Sequence, residues 1–124
     1  MKTFSIIVFY KSSLLQFGKV FQNHQANFKN IIIVNNSPDT SLDSFKSSQV
    51  TIINNSENIG LASALNVGIC EAKKQGAEMV ALFDQDTLLP DDFTQNMLKS
   101  INAYQGIKKP ALFSPVFLNH ITDD

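Results

Sequence analysis

Met79-Val80-Ala81-Leu82-Phe83-Asp84-Gln85-Asp86 is the stretch on which the fold turns. Five apolar residues run straight into two carboxylates one residue apart. A short apolar run without alternation predicts a strand buried on both faces, as in a parallel sheet. Asp84 and Asp86 then stand at the carboxyl end of that strand, the edge where open α/β sheets bind ligands. On an extended chain they project to one side while Gln85 points away. Two carboxylates on one side repel each other unless a cation lies between them. Mg²⁺ suits such a pair, because it takes one or two carboxylates and completes its shell with phosphate oxygens. The competing reading of the same spacing is a polar turn in which an Asp caps the next helix.

Outward from this stretch, buried-type strands alternate with amphipathic helices. Phe4 to Tyr10 reads as the first strand, and its β-branched and aromatic residues fit a buried strand better than a signal peptide. Ser12 or Ser13 can cap a helix carrying Leu14, Leu15, Phe17, Val20 and Phe21 to about Asn27. His24 falls on this helix as a packing or surface residue, since no metal-spaced partner accompanies it. Asn30 to Val34 is the second strand, and Asn35-Asn36-Ser37-Pro38-Asp39 is a dense turn signal. Leu42 and Phe45 suggest one helical turn, and Val50 to Ile53 is the third strand. A helix follows from about Gly60 to Lys74, with Leu61, Ala64, Leu65, Gly68, Ile69 and Ala72 in one stripe, and Gly76 ends it. Cys70, on that helix, reads as a small core residue. Gly68 reads as a close-packing position. Pro90 suits a first helical position, with Asp91 and Asp92 favourable at the positive end of a helix using Phe93, Met97, Leu98 and Ile101. Ala111 to Phe117 reads as a fifth strand, weakened by Pro115. The pattern predicts a three-layer α/β/α domain around a mostly parallel sheet, occupying residues 1–118, with a polar tail at 119–124.

Composition removes several function classes. The 124 residues suffice for one domain, and 44% hydrophobic content with ten Phe can fill a core. A net charge of -1 removes the basic stripe that a nucleic-acid binder needs. No apolar run approaches the roughly 18 residues of a membrane helix. One cysteine excludes an internal disulfide. Neither a Gly-x-Gly-x-x-Gly fingerprint after the first strand nor a Gly-Lys-Ser/Thr phosphate loop is present.

Three segments together resemble the nucleotide-binding half of inverting family 2 glycosyltransferases. They are Ile33-Val34-Asn35-Asn36-Ser37, Asn58-Ile59-Gly60-Leu61-Ala62-Ser63-Ala64-Leu65-Asn66-Val67-Gly68, and Leu82-Phe83-Asp84-Gln85-Asp86-Thr87 followed by Leu89-Pro90. The second and third, in this order, are most like the bacterial rhamnosyltransferases that use dTDP-rhamnose. The resemblance implies the GT-A fold, a Rossmann-like nucleotide-diphospho-sugar transferase architecture. It implies a dTDP- or UDP-sugar donor, Mg²⁺ or Mn²⁺ as cofactor, and a saccharide or lipid-linked acceptor in surface polysaccharide synthesis. It places metal on Asp86 and Asp84, and nucleotide on Tyr10, Asn35, Asn58, Gly60, Asn66 and Asp84. It also implies a cytoplasmic protein, peripheral to the inner face of the membrane.

The residues support part of this on their own. Gly60 at a helix start lets backbone approach a ligand, helix N-termini favour anions, and Asn58 and Asn66 carry both donors and acceptors. Two positions depart from the family pattern. Asn35 stands where an Asp is usual, losing a charge-assisted bond, and Tyr10-Lys11-Ser12 replaces Tyr-Asn or Tyr-His followed by Pro. The match spans only the front, donor half of the family's enzyme. The expected fold is therefore truncated, with the catalytic base in an absent C-terminal half. From that follow two expectations: a chain inactive alone, and a homo-oligomer formed through apolar surface at Phe113, Val116 and Phe117. The alternative readings are a catalytically dead nucleotide-sugar-binding or protein-interaction module and, more weakly, a receiver-like domain. The receiver-like domain lacks its acidic pair after the first strand.

Overall fold

Along the first strand Phe4, Ile6 and Val8 face one way and Ser5, Ile7 and Phe9 the other, and all six are buried. A strand apolar on both faces requires cover on both, and the chain supplies it with one helix on each side. A computed structural model describes residues 1–104 together with Gly106, Leu112 and Ser114. Its elements are β1 (Thr3–Phe9), α1 (Leu14–Asn27), β2 (Asn30–Asn35), a 3₁₀ turn at Asp43–Phe45, β3 (Val50–Asn54), α2 (Leu61–Lys74), β4 (Met79–Phe83) and α3 (Phe93–Ala103). The sheet order is β3-β2-β1-β4, and all three pairings are parallel.

Phe4, Ile6 and Val8 join Ile32 and Val34 of β2 in a core under Ala64 and Ala72 of α2. Gly68 lies on the same stripe, and a Cβ built there would come within 2.6 Å of the Ile6 Cγ2. The close approach of α2 to β1 thus depends on the missing side chain, in agreement with the packing role expected for Gly68. On the opposite face the Phe9 and Phe17 rings meet edge to face at 5.0 Å, and Phe45 packs against Phe17 and Phe21. Each fully buried Ile or Phe contributes on the order of 1.5–3 kcal/mol. Ser13 caps α1, its side chain accepting from the Gln16 N–H, which is worth about 1 kcal/mol. No helix among the described residues is long and apolar enough to cross a membrane.

Several expectations change in detail. Met79 to Phe83 forms a strand, β4, which among the described residues pairs with β1 alone, and its residues are half-buried with Leu82 exposed. Cys70 is exposed. It lies two residues past Gly68, which at about 100° per residue turns it away from the packed stripe. Pro90 precedes α3 rather than opening it, and Asp92 is the N-cap without a side-chain bond. The backbone N–H and C=O of Leu89 are both bonded by Asn23, so the chain cannot turn helical there.

Residues Met1–Asp91 make one compact unit and Asp92–Asp124 a second. In the second, α3 keeps Phe93, Met97, Leu98 and Ile101 half-buried. The expected fifth strand, the Phe113, Val116 and Phe117 patch and the 119–124 tail fall outside the described residues, apart from Leu112 and Ser114.

Candidate functional site

After β1 the chain builds outward through β2 to β3, then returns across β1 to place β4 on its other side. The strand order therefore reverses between β1 and β4, and the crevice beyond their carboxyl ends is where open α/β sheets take ligands. A cleft of about 420 Å³ lies there, lined by Val8, Tyr10, Asn36, Asn58, Gly60, Leu61, Phe83, Asp84, Gln85 and Asp86. That volume falls in the range of small-molecule sites, about 300–1,000 Å³.

The floor comes from β4. Its ladder with β1 ends at the Ile7–Phe83 pair. Beyond it the chain turns, the Thr87 N–H donating to the Asp84 carbonyl at 3.2 Å. Asp84 and Asp86 are both exposed and both line the cleft. They come together through this turn and not through strand alternation. Gln85, expected to point away, also lines the cleft. Its side-chain amide accepts from the Tyr10 N–H at 2.9 Å and donates to the Tyr10 carbonyl at 3.0 Å.

The opposite wall is the start of α2. Gly60 caps it with φ 86° and ψ 164°, a conformation essentially reserved for glycine. No side chain caps this end, so the backbone N–H groups of its first turn and the positive end of its dipole face an anion's natural position. The Asn58 Oδ1 accepts from the Gly60 N–H at 2.9 Å. Asn58 thus fixes the loop ahead of the cap and is not the cap itself. Asn36 ties the same loop to β2, its Nδ2 donating to the Gly60 carbonyl at 3.2 Å and its Oδ1 accepting from Asn55 at 2.7 Å.

Tyr10, Asn58, Gly60, Asp84 and Asp86 are thus gathered in one cleft, whereas Asn35 and Asn66 are not in its lining. Asn35 is buried, and its amide is committed inside the protein. It donates to the Thr40 carbonyl and to the Asn54 Oδ1 and accepts from the Ser37 N–H. The base contact expected of Asn35 is left without an exposed group, because the turn after β2 is built on that amide. Asn66 is exposed one and a half turns into α2. Lys11, next to Tyr10 in the chain but not in the lining, has φ 45°, its N–H donating to the Ser37 Oγ at 2.8 Å. Its ammonium lies 5.3 Å from the Tyr10 ring centroid.

His24 is fully buried. Its Nε2 lies 2.9 Å from the Thr87 carbonyl, which can only accept, so Nε2 carries the proton. Nδ1 then accepts from the Ser5 hydroxyl at 3.3 Å. Desolvation holds the His24 pKa below its ordinary value, and the bond to the Thr87 carbonyl partly offsets this.

Among the described residues no group of three His, Cys, Asp or Glu could hold a metal. The donor set at the cleft, two exposed carboxylates, therefore fits a Mg²⁺-type ion that arrives with phosphate oxygens, and does not fit an all-protein cage.

A parallel sheet with a cleft at its switch point, an uncapped helix start on one wall and paired carboxylates on the other defines an α/β domain with a candidate ligand site. The family model for glycosyl transferase family 2 matches residues 6–107. The chain belongs to that family, and its all-parallel sheet accords with the GT-A fold. It is also 25% identical over 118 residues to the dTDP-rhamnosyl transferase RfbF of Shigella flexneri, covering 94% of this chain and 38% of that protein. The chain thus spans well under half the length of this curated relative.

Asn23 and His24 shape the site but carried no usable signal as single polar residues, whereas Asn36 and Gln85 were marked only as members of the motifs that carry the resemblance. Gln85 had one indirect clue, its place between the two carboxylates.

Proposed function

We propose that this chain is the donor-binding part of a glycosyltransferase, taking a dTDP- or UDP-sugar such as dTDP-rhamnose together with Mg²⁺ or Mn²⁺. The sugar passes to a hydroxyl of a saccharide or lipid-linked acceptor. The observation that carries this reading is the meeting of Asp84 and Asp86, Tyr10 and the Gly60 helix start in one cleft at the switch point. Family membership supports the sugar-nucleotide chemistry, and the rhamnosyl transferase relative supports the choice of donor.

The roles follow from position. Asp86, aided by Asp84, holds the metal, and Asp84 also reaches a ribose hydroxyl. The uncapped N–H groups of α2 receive diphosphate oxygens, while Tyr10 and Asn58 border the nucleoside. The metal, when bound, neutralises charge developing on the departing diphosphate. Acceptor activation needs a general base within roughly 3 Å of the attacking hydroxyl. The cleft's carboxylates are committed to the metal and ribose, so the base comes from elsewhere in the whole enzyme.

Calorimetry with dTDP and UDP, with and without Mn²⁺, tests this. Binding should require the metal, and Asp86→Ala should abolish that requirement together with most of the affinity. Asp84→Asn should weaken binding less, since an amide keeps the shape of the hydrogen-bonding group. A folded sample that gives no heat with either nucleotide at millimolar concentration refutes the proposal.

A further inference from the structure

The segment from Asp84 to Leu89 has no ladder or helix to hold it, yet it is tied at every second residue. Gln85 is tied through its own side chain to both polar groups of the Tyr10 backbone, at 2.9 and 3.0 Å. Thr87 is tied through its carbonyl to the His24 Nε2–H at 2.9 Å. Leu89 is tied through both of its backbone groups to the Asn23 amide, at 2.7 and 2.8 Å. The intervening residues, Asp84, Asp86 and Leu88, are exposed.

The two amide clips share one design. A side-chain amide presents a donor and an acceptor spaced like those of a peptide group. Gln85 therefore adds a step beyond the β1–β4 ladder, which stops at Phe83, by reaching Tyr10, one residue past the Phe9 that the ladder's register would set opposite it. Because the side chain and not the main chain makes that step, the backbone of 84–86 can swing away and open the crevice. Asn23, reaching from α1, does the same at the far end of the segment.

We propose that Gln85 and Asn23 are positioning residues that preset Asp84 and Asp86 for a metal-bound nucleoside diphosphate before the ligand arrives. This rests on the function proposed above. Two carboxylates on a loose loop would have to be ordered against their own repulsion at the moment of binding, and each such ordering step lowers affinity. The clips transfer that ordering to the folding of the chain. Gln85 also couples the end of β1 to the carboxylate turn: a shift of Tyr10 moves the carboxylates with it.

The test uses the whole chain with Gln85→Met and Asn23→Leu, which keep size and add no charge while removing the clip. Amide hydrogen exchange read by NMR is the first measurement. The Tyr10 amide should exchange at least about 10-fold faster in Gln85→Met, and the Leu89 amide likewise in Asn23→Leu, with the Ile7 and Ile32 amides unchanged. Titration with Mn²⁺ and dTDP is the second. Affinity for the pair should fall about 10-fold while the Ile7 and Ile32 amides keep their protection, a split that general destabilisation would not produce. Unchanged Tyr10 and Leu89 exchange, or wild-type affinity for Mn²⁺ with dTDP in both variants, overturns the proposal. Loss of core protection in Gln85→Met and also in Gln85→Ala makes Gln85 a stability residue and overturns it too. If the unaltered chain fails to bind Mn²⁺ with dTDP, the functional reading fails, and the clips are judged on hydrogen exchange alone.

Discussion

Replacing Gly68 by Ala tests how α2 is seated on the sheet. In an exposed helix interior this change stabilises by about 1 kcal/mol, because glycine carries the larger backbone entropy loss. Here the added Cβ would stand 2.6 Å from the Ile6 Cγ2 and 3.2 Å from the Val34 Cγ2. Carbon atoms prefer about 3.5–4.0 Å, so something must give by close to 1 Å. Both neighbours are β-branched and buried in the central strands, where χ1 is stiff. The helix therefore lifts or the side chains leave their wells, at about 1–3 kcal/mol. Overpacking outweighs propensity, and a net loss near 1 kcal/mol is expected, about 4 °C in Tm for a domain of this size. The helix start at Gly60 moves with α2, so nucleotide affinity should fall as well. Thermal and denaturant unfolding provide the assay. Ile6→Ala removes the clashing methyl, so its own cost of about 2–5 kcal/mol should shrink by at least about 0.5 kcal/mol when Ala already occupies position 68. A Gly68→Ala protein more stable than the original, or strict additivity with Ile6→Ala, refutes the reasoning.

The depressed pKa of His24 makes stability pH-dependent: the unfolded chain binds its proton more readily, so the contribution is complete above the unfolded value and is lost as pH falls through the folded one. Denaturant midpoints should drop from pH 7.5 to pH 5, and His24→Gln should flatten that drop. Gly60→Ala should cost about 1–3 kcal/mol from its positive φ. Nothing lies within 4 Å of the added Cβ, so unfolding midpoints of Gly60→Leu should be no worse. Asn35→Asp restores the residue type usual in the family but turns a donor into a second acceptor facing the Thr40 carbonyl and the Asn54 Oδ1. A loss of about 1–3 kcal/mol relative to the unaltered chain is expected at pH 7, and that difference in unfolding free energy should shrink at pH 4, where the carboxyl can be protonated.

Much of the architecture was written locally. Runs such as Ile31 to Val34, the Ser13 cap, the stripe from Ala64 to Ala72 and Gly76 after α2 follow from side-chain period and backbone permissiveness, which act within a few residues. The same local logic marked Asp84, Asp86 and Gly60 as candidates, since a carboxylate pair after a strand and a glycine at a helix start are unusual in themselves. What depended on strand order was not local. Nothing in Met79 to Phe83 says which strand it will pair with, and it is the β3-β2-β1-β4 order among the described residues that opens the crevice between β1 and β4. The fates of the asparagines and of Gln85 were likewise undetermined by residue type. An amide serves equally as ligand contact, turn support or backbone clip, and the choice rests on which donors and acceptors lie within about 3 Å after folding. Asn35 folds against Thr40 and Asn54 and is withdrawn, Gln85 folds against Tyr10 and becomes a tie, and Asn23 reaches Leu89 across 66 residues of chain. Such long-range pairings arise from the packing of α1 and the sheet together, and no stretch of sequence contains them.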